Sequence, residues 1–322
     1  MNVRRQHISG VAVAAVTALG LGALSACSAD SMAAGNTDRF DVVASFYPMA
    51  YLAEQIGGKH VHVTTLTKPG QEPHDLEISA RQTAQLQVSD AVVYLTGLQP
   101  SVDDAVAQSG VRTKVDAAAL TTLETHGSEV GGHAAAHDEK QGGEETGKDP
   151  HIWLDPVRYA QVAEGVGAAF EKADPGHAAD YRKNTADLVA RLDALDTRYR
   201  NGLSATKTKV FITTHAAFGY LAERYGLTEE AISGLDPESE PSAARIKELE
   251  KLAKADGVST VFYETLVSDK TAKTVAGDSG LRTDVLDPVE GITGTSRGTD
   301  YIAVMDTNLA ALKTALGSDS DK

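Results

Sequence analysis

Three histidines and an aspartate stand in contexts that could do chemistry. His74 lies in Gly70-Gln71-Glu72-Pro73-His74-Asp75, His151 in Asp149-Pro150-His151-Ile152-Trp153, His215 in Thr213-Thr214-His215-Ala216-Ala217-Phe218, and Asp287 in Val285-Leu286-Asp287-Pro288. A neutral imidazole binds zinc at about 2.0 to 2.1 Å, an aspartate oxygen completes a tetrahedron, and four protein donors leave no position for a catalytic water. Such a set binds and does not catalyse. The four residues are far apart in sequence, unlike a local pair on one helix, so spacing alone also allows that they are unrelated.

The elements around them decide whether they can meet. Short β-rich runs at 41–45, 61–66, 91–95, 209–213, 258–263 and 283–286 alternate with helical stretches such as 48–56, closed by Gly57-Gly58, and 243–255, closed by Gly257. In the second stretch Ile246, Leu249, Leu252 and Ala253 share one face. Strand and helix in alternation imply an α/β architecture of parallel sheets covered by helices. His74, His215 and Asp287 each follow a strand, and open parallel sheets bind ligands outside the carboxyl ends of their strands. Between the two groups of strands, Asp174-Pro175 starts and Gly202 stops a helix with Tyr181, Thr185, Leu188, Leu192, Leu195 and Tyr199 on one stripe, about 40 Å long at 1.5 Å per residue. It reads as a rigid connector (174–202) between an N-terminal lobe (38–173) and a C-terminal lobe (203–318).

The remaining segments set the compartment. Arg4 and Arg5 precede an apolar run at 8–24 and then Leu24-Ser25-Ala26-Cys27, the layout of a secretory signal (1–26). Leu24-Ser25-Ala26-Cys27 also resembles the bacterial lipobox, which makes Cys27 the lipidated first residue, followed by a tether (27–37). Cys27 is the single cysteine, so an internal disulfide and a thiolate metal cluster are excluded. Lys plus Arg number 30 against 45 Asp plus Glu, a net charge of −15 with no basic cluster, which argues against a nucleic-acid partner. Residues 126–148 hold His126, His133 and His137 among glycines and acids without apolar periodicity. This composition suits an exposed loop that collects divalent metal weakly, or a solvated linker with incidental histidines. His60, His62 and His177 read as surface or half-buried imidazoles.

Gly70-Gln71-Glu72-Pro73-His74-Asp75-Leu76-Glu77, Asp149-Pro150-His151-Ile152-Trp153-Leu154-Asp155-Pro156, Thr214-His215-Ala216-Ala217-Phe218 and Leu286-Asp287-Pro288 resemble, in order, the four metal-site motifs of the zinc and manganese solute-binding lipoproteins of ABC importers, the ZnuA/TroA-like family. The resemblance covers nearly the whole chain after Cys27. It implies two four-stranded α/β lobes joined by one rigid helix, with His74, His151, His215 and Asp287 as ligands. It also implies a monomer that is lipid-anchored outside the cytoplasmic membrane and delivers metal to an ABC permease and its ATPase, and that is not an enzyme. Manganese sites of the family are similar but carry glutamate at the third histidine. His215 therefore indicates the zinc branch, in keeping with the preference of imidazole-rich sites for Zn²⁺ over Mn²⁺. Glu72 is the stand-in ligand should Asp287 lie too far away. A surface zinc-binding adhesin or metal store, and a zinc hydrolase using Glu72 as base, are the alternatives.

Overall fold

A computed structural model describes residues 38–127, 129–130 and 147–318; the signal, Cys27, the tether, His133 and His137 lie outside the described residues. The first sheet is parallel, with strands β1 (Phe40–Ala44), β2 (Val61–Thr65), β3 (Ala91–Tyr94) and β4 (Thr113–Asp116) in the order β2-β1-β3-β4. Helices α1 (Tyr47–Gly57), α2 (Ala80–Val88) and α3 (Pro100–Gln108) connect them. The second sheet has the order β5-β7-β6-β8-β9, in which β6 (Val210–Thr213), β7 (Thr228–Ala231), β8 (Thr260–Tyr263) and β9 (Arg282–Val285) are parallel. Helices α6 (Gly219–Tyr225), α7 (Ala243–Ala255) and α8 (Lys270–Ser279) alternate with these strands. Its fifth member, β5 (Glu129–Val130), pairs antiparallel with the outer edge of β7. The segment read from sequence as an unstructured loop thus begins with a piece of ladder, because an exposed edge offers backbone groups that a passing extended chain can satisfy.

Three helices bind the two sheets into one body. Helix α4 (Pro156–Ala173) runs beside α5 (Ala178–Leu203), and α9 (Tyr301–Leu316) closes the chain. Tyr181, Leu188, Leu192, Leu195 and Tyr199 of α5 are buried in one apolar core with α1, α4 and α9, a core that reaches residues of both sheets. Each sheet has a smaller core on its other face, Val92, Val102 and Val106 in one and Val261, Leu249 and Val275 in the other. Helix α5 differs from expectation at both ends. Asp174 does not cap it: its Oδ2 accepts from Tyr181 Oη at 2.6 Å and faces His177 Nδ1 at 2.7 Å, and Pro175–His177 form a separate 3₁₀ turn. Gly202 does not stop it; a Cβ there would lie 3.1 Å from Leu309 Cδ1, so this glycine serves the close approach of α5 and α9.

Candidate metal centre

The loops leaving the carboxyl ends of the strands converge between the sheets. His74 comes from the loop after β2 and His151 from the turn before α4, on the side of the first sheet; His215 follows β6 and Glu290 follows β9 on the side of the second. One donor atom from each of these four lies within 4.8 Å of each of the others. Glu290 Oε1 is 3.2 Å from His74 Nε2, 3.5 Å from His151 Nε2 and 3.8 Å from His215 Nε2. His151, His215 and Glu290 are buried, and His74 is partly exposed, so approach is from the His74 side.

Each buried imidazole is aimed by a carboxylate behind it. His151 Nδ1 lies 2.8 Å from Asp149 Oδ1, and His215 Nδ1 lies 2.8 Å from Glu264 Oε1. With Nδ1–H donating outward, Nε2 of each ring presents its lone pair to the centre, the arrangement that orients and strengthens a histidine ligand. The facing ring atoms are unspent: His151 Nε2 and His215 Nε2 are buried without a hydrogen-bond partner, as is the second Glu290 oxygen, Oε2. Buried polar atoms nearly always have a partner, so two orphaned ring nitrogens turned towards one buried carboxylate mark a place built for something else.

The fourth residue corrects the sequence expectation. The cluster contains Glu290, not Asp287. Asp287 is committed to the turn that carries Glu290: its Oδ1 accepts from Val289 N at 2.8 Å and its Oδ2 from Thr265 Oγ1 at 2.9 Å. Its own N and O are clamped by the Asn308 amide of α9, and Trp153 Nε1 donates to Pro288 O at 2.7 Å. Val289 is held at φ +59°, a left-handed backbone that a β-branched residue rarely adopts, and this turn directs the next side chain, Glu290, into the centre. Glu72 is not in the cluster either; its Oε1 accepts from His74 N at 2.8 Å and fixes the loop carrying that imidazole. His126 is not an exposed loop residue: it is buried, with Nδ1 2.6 Å from Asp149 Oδ2. A second acid three residues past Asp287, in the same strand-exit loop, was the signal for Glu290. Asp149 opens the motif Asp149-Pro150-His151-Ile152-Trp153, whereas nothing in the local sequence singles out Glu264.

The charges show how the centre stands without a cation. Burial opposes charge on His151, but the carboxylates of Asp149 and Glu290 outweigh it and push its pKa up to about 10. His215 is raised against the same burial by Glu264 and Glu290. Burial likewise works against a charged Glu290, yet the surrounding imidazoles hold it well below the usual carboxylate range. Glu72 is pushed up to about 9, by burial first and Glu290 second, and Asp287 up to about 6 by burial. The centre is thus an anionic carboxylate facing two imidazoles, His151 and His215, that hold a proton more tightly than usual, and a divalent cation can take the place of those protons.

A family model, zinc-uptake complex component A periplasmic, matches residues 42–315. The chain belongs to this zinc-uptake component A family. It is 38% identical over 296 residues to the zinc-binding lipoprotein AdcA of Streptococcus pneumoniae, covering 90% of this chain and 58% of that protein, so it spans little more than half the length of that relative. With the high-affinity zinc uptake system protein ZnuA of Bacillus subtilis it shares 35% identity over 314 residues, 96% of this chain and 97% of that one. Among solved structures, the Zn(II)-bound ZnuA-like domain of Streptococcus pneumoniae AdcA is 35% identical with a TM-score of 0.69, covering 86% of this chain and 99% of that one. The laminin-binding protein of Streptococcus agalactiae, described as bifunctional with adhesin and metal transporting activity, has a TM-score of 0.75 at 28% identity over 86% of this chain and 99% of that one. The two-lobed α/β fold of this zinc-uptake component A chain is the fold of these relatives.

Proposed function

We propose that the protein is the extracytoplasmic binding component of a zinc importer, holding Zn²⁺ between its lobes through His74, His151, His215 and Glu290. The observation that carries this reading is the convergence of three Nε2 atoms and one carboxylate within 4.8 Å, with the Nε2 atoms of His151 and His215 buried without hydrogen-bond partners. A tetrahedron with bonds of 2.0 to 2.1 Å has edges of about 3.3 Å, so donors drawn in by at most about 1.5 Å close around the ion. A donor set of three nitrogens and one oxygen favours zinc over manganese. Four protein donors fill the coordination shell and leave no place for an activated water, which supports a carrier and not a hydrolase.

The carrier receives zinc outside the cytoplasmic membrane, is held there by lipid on Cys27, works as a monomer, and hands its cargo to an ABC permease powered by its ATPase. The name lipoprotein carried by the pneumococcal relative supports the anchor. Release then requires the permease to separate donors that come from loops of both sheets. A second reading, adhesion, is favoured by the laminin-binding structural relative; zinc-loaded protein that binds immobilised laminin while a neighbouring permease is lacking would support it.

The test is a Zn²⁺ titration against a competing chelator, using protein in which residues 131–146 are replaced by a short Gly/Ser linker, so that His126 and β5 remain. Trp153 is the reporter, its ring centroid 5.2 Å from that of His151. One tight site with a Trp153 response places binding at the buried centre and makes the replaced segment accessory. Loss of tight binding overturns the reading and moves the site to the histidines at 133 and 137.

A further inference from the structure

Asp149 is fully buried, and its two carboxylate oxygens serve two different imidazoles. Oδ1 accepts from His151 N at 2.9 Å and lies 2.8 Å from His151 Nδ1, while Oδ2 lies 2.6 Å from His126 Nδ1. A carboxylate anchored by one oxygen can turn about its terminal bond, whose torsional well is broad. Anchored by both, it is fixed in plane, and so is the ring that leans on it.

His126 is itself seated with care. Its ring meets Tyr220 edge-on at 4.6 Å, and Tyr220 Oη donates to Asp149 O at 2.8 Å while accepting from Glu124 N at 2.9 Å. Asp149 N in turn donates to Glu124 O at 3.0 Å, which ties the two strands of chain together beside His151. On the α6 side the ring lies against Gly219; a Cβ there would come within 2.6 Å of His126 Nδ1. The charged groups facing the imidazole are Asp149 and, at 3.5 Å from Nε2, Glu223, with Arg158 between Glu223 and Glu124. Both ring nitrogens are thus turned towards carboxylates outside the cluster of four.

We propose that His126 is a positioning residue for metal capture: it locks the Asp149 carboxylate, which holds the His151 ring with Nε2 on the metal, and does not ligate metal itself. The inference rests on the reading of His151 as a zinc ligand. It assigns His126 a role different from the metal-collecting one that its place at the head of an acidic, histidine-containing segment suggests.

The experiment uses the full mature chain in five forms: wild type, His126→Leu, His126→Asn, Gly219→Ala and His151→Ala. Leucine fills the space without a donor, and asparagine restores an N–H near the position of Nδ1. Zinc affinity is read by chelator competition, and ligand geometry by the visible absorption of Co²⁺-loaded protein. For His126→Leu the expected outcome is a loss of zinc affinity of about tenfold, the lower end of the range for outer-shell partners, together with altered Co²⁺ bands. His126→Asn should return both to wild type. Gly219→Ala, which crowds the ring while leaving His126 in the chain, should alter the Co²⁺ bands in the same sense and serves if the leucine variant fails to fold. Wild-type affinity and spectrum in His126→Leu or Gly219→Ala overturn the proposal, as does an asparagine variant no better than leucine, since packing alone then explains the residue. Undiminished tight binding by His151→Ala overturns the zinc-site reading instead, so the two failures are distinguishable.

Discussion

Glu290 Oε1 lies 3.2 Å from His74 Nε2 although the two residues are 216 positions apart, one leaving the first sheet and the other the second. This pairing joins the lobes at the centre, and among the described residues Glu290 supplies the one carboxylate of the cluster. Glu290→Gln should therefore weaken zinc binding by more than the roughly 10- to 100-fold that outer-shell substitutions cost. Asp287→Asn keeps an oxygen for Val289 N and should fall within or below that range. Chelator competition on both variants decides the matter; a larger loss for Asp287→Asn than for Glu290→Gln would return the fourth position to Asp287.

Proton linkage predicts an unusual stability profile for the metal-free protein. Glu72, Glu229 and Asp287, with pKa values raised to about 9, 7 and 6, and His151, raised to about 10, all bind protons more tightly folded than unfolded. For the three acids burial is the leading cause; for His151 burial opposes the rise, and Asp149 and Glu290 produce it. Stability falls with rising pH wherever the folded state holds more protons. The acids contribute this fall from the ordinary carboxylate range upward, and His151 from its ordinary value near 6.5 to about 10. Asp149 and Glu290, both depressed, act oppositely and only below the ordinary carboxylate range. Chelator-treated protein should therefore melt at a lower temperature at pH 9 than at pH 6, and Glu72→Gln should flatten the slope. An unchanged or higher melting temperature at pH 9 contradicts the linkage.

The proton held by His151 must leave when zinc enters, since metal-bound imidazole is neutral. Zinc affinity should rise from pH 5 through pH 8, with release of about one to two protons near pH 7.5. Calorimetry in buffers of differing ionisation enthalpy counts them. Equal zinc retention at pH 5 and pH 7.5 is incompatible with a centre dominated by imidazoles.

What was legible in the sequence followed from local chemistry. The apolar runs ending near residues 45, 65, 95, 213 and 263 read as strands because buried parallel strands are continuously apolar. Strand β7 was not legible: Thr228-Glu229-Glu230-Ala231 looks solvated, yet both glutamates are buried. Glu229 Oε1 accepts from Thr213 Oγ1 and Phe218 N, and Glu230 is paired with Arg245 of α7. Those partners come from elsewhere in the fold, so no local pattern announces them. Edge strand β4, Thr113-Lys114-Val115-Asp116, carries one buried apolar side chain and was missed for the same reason. At the centre the histidines were legible because the four motifs around them resemble those of a known metal-binding family, whereas spacing alone also allowed that they were unrelated. Choosing Glu290 over Asp287 required the turn at Val289, a tertiary fact.

That turn allows a test of magnitudes. Val289 is fully buried, and truncating such a side chain forfeits about 1.5 to 3 kcal/mol of burial. Its left-handed backbone costs of order 1 to 3 kcal/mol, which glycine does not incur. The two nearly cancel, so Val289→Gly should change the urea midpoint far less than Val261→Gly in central strand β8. Equal losses at both sites would mean that the turn at 289 carries no strain.

Metal choice should follow from residue 215, but not from that residue alone. His215→Glu converts three imidazoles and one carboxylate into two and two, a set with more of the oxygen donors that manganese prefers. In this protein, however, Glu264 Oε1 lies 2.8 Å from His215 Nδ1 and also accepts from Thr214 Oγ1 at 2.9 Å. A glutamate at 215 would face this buried carboxylate with no N–H to offer it, and like charges in a buried site oppose one another's ionisation. His215→Glu should therefore lose zinc affinity with little gain for manganese, whereas His215→Glu with Glu264→Gln should narrow the zinc-over-manganese preference markedly. Competition of Mn²⁺ against Zn²⁺ on the two variants measures this. If the double variant keeps the wild-type preference, the donor set does not determine the cargo, and selection must arise in the approach past His74 or at the permease.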